Sequence, residues 1–165
     1  MKFGLTGDTH NNLKNILIIC EFFNKFKLDF VIHTGDITLP KSLILFEKLM
    51  MPLNIVFGNN DQGDKEELIK VCKQKKFSYH DELHIDLPND KKIIALHDPK
   101  DIKEEFYKDG NIIVHGHTHR FRDEKINGSH IFNPGECAGF LKGKNQIGIV
   151  DTKTDESKII NFFFY

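Results

Sequence analysis

Residues 2–10, Lys-Phe-Gly-Leu-Thr-Gly-Asp-Thr-His, carry the pattern from which the fold is read. A strand-like run, Lys2 to Thr6, ends on Gly7 and is followed at once by Asp8 and then His10. The same order returns as Gly35-Asp36, Gly58-Asn59 and Gly116-His117, each after a hydrophobic run, and the last of these extends to His119. A further run, Lys92 to Leu96, ends directly on His97. Ligand-type residues that follow several strands gather beyond one edge of a sheet, where open α/β proteins form their sites. Asp8, His10, Asp36, Asn59, His97, His117 and His119 are therefore candidate metal ligands. Residues two apart on an extended chain point to the same side, so Asp8 with His10, and His117 with His119, are expected on extended loops.

Working outward, the segments between these motifs read as helices. Asn12 can cap a helix with Leu13, Ile16, Leu17, Cys20 and Phe23 on one face. After a strand over Asp29 to Thr34, a second helix runs from about Lys41 to Met50, with Pro40 at its first turn. A third strand, Leu53 to Phe57, precedes a helix from Asp64, its cap, to about Lys75. Such βαβαβ alternation implies a parallel sheet with right-handed crossovers. The second half is richer in strands. Phe77 to His80, Leu83 to Leu87 and Lys92 to Leu96 are expected as a meander, followed by a short polar helix from Lys100 to Tyr107 and a strand over Asn111 to His115. Asn127-Gly128 marks a hairpin between Arg122 to Ile126 and Ser129 to Phe132. Gln146 to Asp151 and Lys158 to Phe164 close the chain as another hairpin. The reading is one α/β domain over residues 1–165, with two facing mixed sheets and helices outside.

A chain of 165 residues can bury a substantial core. Its net charge of -1 provides no electrostatic basis for general nucleic-acid binding. Cys20, Cys72 and Cys137 form no C-x-x-C pair and read as thiols of a reducing compartment. No signal-like segment precedes Asp8, and no apolar run is long enough for a membrane, so a cytoplasmic protein is expected. The closing aromatics, Phe162 to Tyr165, read as strand core, or as a homodimer surface if exposed.

The donors are oxygens of Asp8, Asp36 and Asn59 and imidazoles of His10, His97, His117 and His119. That set exceeds one tetrahedral zinc and suits two ions bridged by a carboxylate. Oxygen and nitrogen without thiolate favour Mn, Fe, Zn, Ni or Co, manganese first among them. Paired ions about 3.5–4 Å apart can clamp both oxygens of a phosphoryl transfer and acidify water near neutral pH.

Together, Asp8-Thr9-His10, Gly35-Asp36, Gly58-Asn59-Asn60-Asp61, His97 and Gly116-His117-Thr118-His119 resemble the calcineurin-like metallophosphoesterases, whose motifs D-x-H, G-D, G-N-H-D/E, a lone histidine and G-H-x-H fall in this order. The short chain and Asn133-Pro134-Gly135 resemble the small single-domain phosphodiesterase-like branch of bacteria and archaea. The resemblance implies a four-layered αββα sandwich and two divalent transition-metal ions. It places Asp8, His10, Asp36 and His119 on one ion, Asp36, Asn59, His97 and His117 on the other, and a small phosphate ester as substrate. A metal-bridging hydroxide would attack phosphorus. The same fold also serves as a protein-interaction scaffold, and the same centre as a phosphomonoesterase or nucleotide phosphatase.

Two departures stand out. Most of the family carries a histidine after the metal-binding Asn, which helps the leaving group depart; this chain has Asn60, whose amide donates a hydrogen bond but delivers no proton at neutral pH. After His97, where the family often has glycine and a further histidine, this chain has Asp98-Pro99. Asn60, Asp61 and Arg120 are the candidate catalytic residues. Asp61 would orient Asn60 or cap its loop. Arg120, one of two arginines (Arg122 is the other), would grip phosphate or form a structural ion pair. His33 and His115 read as structural, and Cys137 as a buried inert thiol.

Overall fold

The computed structural model describes residues 1–162. Its first sheet is built on β1 (Lys2–Thr6), β2 (Phe30–His33), β3 (Leu53–Val56) and β4 (Ser78–His80), paired in parallel. Two antiparallel strands, β10 (Gln146–Asp151) and β11 (Glu156–Asn161), complete it in the order β11-β10-β1-β2-β3-β4. The second sheet contains β5 (Leu83–Asp86), β6 (Lys92–Ala95), β7 (Ile112–Val114), β8 (Arg122–Ile126) and β9 (Ser129–Asn133), in the order β5-β6-β7-β9-β8. Its three central strands are parallel, and β5 and β8 are antiparallel edges.

Alternation along the strands sorts side chains between two cores. Phe3, Leu5, Phe30, Ile32 and Val56 of the first sheet meet Ile93, Ala95, Ile112, Val114 and Phe132 of the second. On the other side of the first sheet, Val31, Leu53 and Ile55 pack under α1 (Leu13–Asn24), α2 (Pro40–Ile44) and α3 (Lys65–Lys75). Asn12 caps α1 by accepting from the Asn15 N–H at 3.1 Å. Its buried stripe runs through Asn15, Ile16, Ile19, Cys20 and Phe23, while Leu13 at the first turn stays exposed. The outer face of the second sheet, Ile94, Ile113 and Ile131, is covered thinly by Phe106 from a 3-10 turn, Glu104–Phe106. The four layers are thus αββ plus a layer of 3-10 turns, where a polar helix from Lys100 to Tyr107 was expected.

Three further expectations change. The second helix ends early: Pro40–Ile44 tightens into a 3-10 stretch, Leu45–Lys48. Pro52 disfavours helical backbone before it, and Leu49 is already extended with ψ 136. Asp64 precedes α3 without a side-chain cap bond, because the 3-10 stretch Asn59–Asp64 feeds directly into the helix. The meander is split. β4 pairs in parallel with β3 across the α3 crossover, and the chain then passes to the other sheet, where β5 and β6 form the hairpin. The Asn127-Gly128 hairpin forms as expected, with φ 50 and 78 as a primed two-residue turn requires. Phe162 is buried beside Phe22, the rings 6.1 Å apart; Phe163 to Tyr165 lie outside the described residues. Among the described residues no helix is long and apolar enough to cross a membrane.

Gly4 is where α1 meets the first sheet. A Cβ built there would lie 2.6 Å from Phe23 Cε1. Gly4→Val is expected to lower stability by about 1–3 kcal/mol through overpacking, read as a fall in the urea midpoint at unchanged slope.

Candidate metal centre

Every sequence-derived ligand sits just past the carboxyl end of a parallel strand. Asp8 and His10 follow β1, Asp36 follows β2, and Asn59 follows β3; His97 follows β6, and His117 and His119 follow β7. The two sheets end at one edge, and their loops are stitched together. The Asp8 N–H donates to Gly35 O at 2.9 Å, and the His10 N–H to Asp36 O at 3.0 Å. Across the sheets, the His117 N–H donates to the Asp8 carboxylate, 3.0 Å from Oδ2.

The loops are not extended. Asp8, His10, Asp36, His117 and His119 have φ of 49, 37, 59, 65 and 56, all in the left-handed region. Asp and His tolerate it better than most residues, but each such position costs on the order of 1–3 kcal/mol and persists only where its surroundings impose it. Left-handed kinks, not an i to i+2 extended register, bring Asp8 to His10 and His117 to His119. The glycines beside them provide room. At Gly58 a Cβ would lie 2.2 Å from Asp36 Oδ1, and at Gly116 it would lie 2.8 Å from Asp8 Oδ2.

Two groups of donor atoms result: Asp8, His10 and His119, and Asp36, His97 and His117, each within 4.8 Å of one another. Asp36 lies between them, with Oδ2 3.4 Å from His10 Nε2 and Oδ1 3.4 Å from His97 Nε2. In the first group His10 Nε2 and His119 Nε2 are 3.2 Å apart. In the second, Asn59 Oδ1 is 2.9 Å from His97 Nε2 and 3.1 Å from His117 Nδ1. Thr34 O lies 2.7 Å from His97 Nδ1 and, being an acceptor, assigns the ring proton there. Nε2 of His97 is then a bare lone pair aimed at an oxygen. Lone pairs converging in this way repel one another unless a cation lies between them, and these residues fit divalent ions. Charge points the same way. Burial, and then the Asp36 carboxylate, push the Asp8 carboxyl up to about 8. Burial holds His10 below its ordinary value, on the neutral side.

The surroundings hold these donors in place. Fully buried Asp61 accepts from Gly58 N–H at 2.7 Å and Asp36 N–H at 2.9 Å with one oxygen, and from Thr38 N–H at 2.7 Å with the other. Both oxygens are used on backbone, so Asp61 fixes the Asp36 and Asn59 loops and does not orient the Asn60 amide. Burial raises its carboxyl, against the pull of those N–H bonds. Asn60 turns to Asp36: its amide donates to Oδ2 at 2.7 Å and its N–H to Oδ1 at 2.9 Å. Asp98, which stands where the family often has glycine, puts Oδ2 3.5 Å from His117 Nε2. Arg120 is exposed, and its guanidinium has no hydrogen bond or ion pair among the described residues. Arg122 pairs with Glu124.

His33 and His115 are structural, as read. His33 accepts from the Gly35 N–H, donates to Thr9 Oγ1 at 3.1 Å, and is kept neutral by burial, with its pKa lowered to about 3. His115 is lowered to about 4 by the same cause and packs against Gly116 O. Burial pushes the Cys137 thiol up to about 12, leaving it inert. Glu136 escaped the sequence reading. It is fully buried, with Oε2 3.7 Å from His119 Nδ1. The signal was present: Gly135-Glu136 after β9 is another glycine followed by a carboxylate beyond a parallel strand.

Residues 1–155 match the calcineurin-like phosphoesterase superfamily domain. Phosphodiesterase MJ0936 of Methanocaldococcus jannaschii is 32% identical over 165 residues, spanning 97% of this chain and 98% of that protein. The chain belongs to the calcineurin-like phosphoesterases. As a member of that superfamily it is a phosphoric ester hydrolase. The structure of an archaeal phosphodiesterase superposes on this calcineurin-like chain with a TM-score of 0.87 at 32% identity, covering 98% of this chain and 100% of that one. YfcE, a phosphoesterase from E. coli, shares the fold at a TM-score of 0.75 and 17% identity, over 97% of this chain and 98% of that one.

Two outcomes follow from the geometry. Asp61→Asn turns an amide N–H₂ toward backbone donors, so metal affinity should fall about 10–100-fold, as calorimetric titration with Mn²⁺ would show. The second concerns pH. Unfolded Asp titrates near ~3.9, and folded, metal-free Asp8 near about 8, so folding favours the protonated carboxyl. That stability is full below ~pH 4 and is lost as pH rises through about 8. Thermal unfolding of metal-stripped protein should show this decline, and Asp8→Asn should flatten it.

Proposed function

We propose that the protein is a binuclear metal-dependent phosphodiesterase acting on small phosphate esters in the cytoplasm. The observation that carries this reading is the position of Asp36, one carboxylate with an oxygen 3.4 Å from a histidine of each donor group. Asp8, His10, Asp36 and His119 would hold one ion, and Asp36, Asn59, His97 and His117 the other. Divalent ions there, manganese first among them, would supply Lewis acidity and a water acidified near neutral pH. All seven ligand positions keep donor side chains, which supports an enzyme over a scaffold. The 32% identity to a curated phosphodiesterase supports diester over monoester substrates.

The chain's own residues have distinct parts. Thr34 O fixes the His97 ring, and the Asp98 carboxylate stands 3.5 Å from the far nitrogen of His117. The Asn60 amide, held on Asp36, can donate to a phosphoryl oxygen but cannot protonate a departing alkoxide. Arg120 offers a planar, bidentate donor to the phosphate. The enzyme should therefore favour esters whose leaving group departs as a stable anion.

Reconstitution with Mn, Ni, Co or Zn, assayed on phosphomonoesters, alkyl diesters and bis-p-nitrophenyl phosphate, tests this. The aryl diester should turn over fastest. Asn60→His should raise alkyl-ester hydrolysis about a hundredfold and leave the aryl diester little changed. Folded, metal-loaded protein that hydrolyses none of them with any metal would sink the reading.

A further inference from the structure

Phe140 is 66% exposed, yet it stands beside the first donor group. Its ring lies parallel to the His119 imidazole, with centroids 5.9 Å apart and planes 8° from parallel, and its centroid is 5.2 Å from that of His10. The loop that carries it is fastened on both sides. Glu136, fully buried, accepts from the Ala138 N–H at 3.0 Å and the Leu141 N–H at 2.7 Å, and Asn12 Nδ2 donates to Ala138 O at 2.8 Å. Between these anchors Gly139 takes φ 81, which turns the backbone just before Phe140. The buried carboxylate that stands 3.7 Å from His119 thus also fixes the loop that carries this solvent-facing phenyl ring. One face of that ring rests on His119, and the exposed remainder is open to whatever ester group lies over this end of the centre.

We propose that Phe140 is a specificity-determining residue: it stacks a planar aromatic ring carried on the ester group of the substrate. This inference rests on the phosphoesterase reading, since it takes the phosphate to lie at the donor groups. The shared chemistry is a flat π-surface, which can be an aryl group on the ester oxygen or a nucleobase one sugar away. Aromatic pairs prefer offset stacking of the kind the His119–Phe140 pair already shows. An aryl ester would also suit Asn60, because an aryloxide leaves without a proton.

Calorimetric binding to the Mn²⁺-loaded protein distinguishes the cases with ligands whose C–P bonds resist hydrolysis. One pair is phenylphosphonate and methylphosphonate; the other is the methylenephosphonate analogues of adenosine 5′-monophosphate and ribose 5-phosphate. The ring-bearing member of at least one pair should bind about five- to a hundredfold tighter. That preference should vanish in Phe140→Ala and persist in Phe140→Trp, with Mn²⁺ affinity unchanged in both. Preference in the phenyl pair assigns an aryl ester, and preference in the nucleoside pair alone assigns a nucleobase. The inference is overturned if neither pair shows a preference, if Phe140→Ala keeps it, or if that variant loses metal and both ligands alike, which would make Phe140 a prop for His119. Turnover of bis-p-nitrophenyl phosphate is measured in parallel: ring preference without turnover would overturn the phosphoesterase reading alone, and turnover without ring preference would overturn this inference alone.

Discussion

Four buried carboxylates crowd one end of this molecule. Asp8, Asp36, Asp61 and Glu136 are at most 2% exposed, and among the described residues none pairs with a lysine or arginine. Nearly everything else about that end answers to this concentration of buried carboxyl groups. Asp61 and Glu136 spend their oxygens on backbone N–H groups, and Asp8 takes the His117 N–H across the sheets. Burial holds the neighbouring His10 ring on the neutral side. Burying a carboxylate without compensation is expensive, and backbone donors answer only part of the demand. The rest is left for cations, which is why a divalent centre fits these residues better than a proton-shuttling set would.

Much of this was legible in the chain. Lys2 to Thr6 announces a strand, and Gly7 with Asp8 announces its end; repeated along the sequence, that signal gave parallel strands and six candidate donors, while His97 was found as the residue that directly ends a run. It worked because strands and the loops after them are local features. The signal failed where the deciding contact is distant or is made by backbone. Phe77 to His80 and Leu83 to Leu87 look alike as residues, and only the α3 crossover decides that the first joins β3 while the second starts another sheet. Asp61 looks like a partner for its neighbour Asn60, but its contacts are amide groups of loops that the fold folds back onto it. The left-handed backbone of Asp8, His10, Asp36, His117 and His119 was equally hidden, since Asp and His permit that region without demanding it.

The strain in those loops and the space made by the glycines belong together. Left-handed kinks turn the side chains inward, and missing β-carbons at Gly58 and Gly116 let carboxylates approach the neighbouring backbone. Donors placed in this way by backbone and close packing are already convergent before any ligand arrives, which is the arrangement that electrostatic stabilisation requires.

The stitching of the two sheets at that edge also bears on how the protein is assembled. His10 and His119 are 109 residues apart in sequence, yet their ring nitrogens meet at 3.2 Å. Neither donor group exists until both sheets have formed and closed face to face. Loop closure over such separations comes late and slowly in folding. An ion held by these donors would therefore engage only chains whose two halves have met in register, and would draw the folding equilibrium toward that state by mass action.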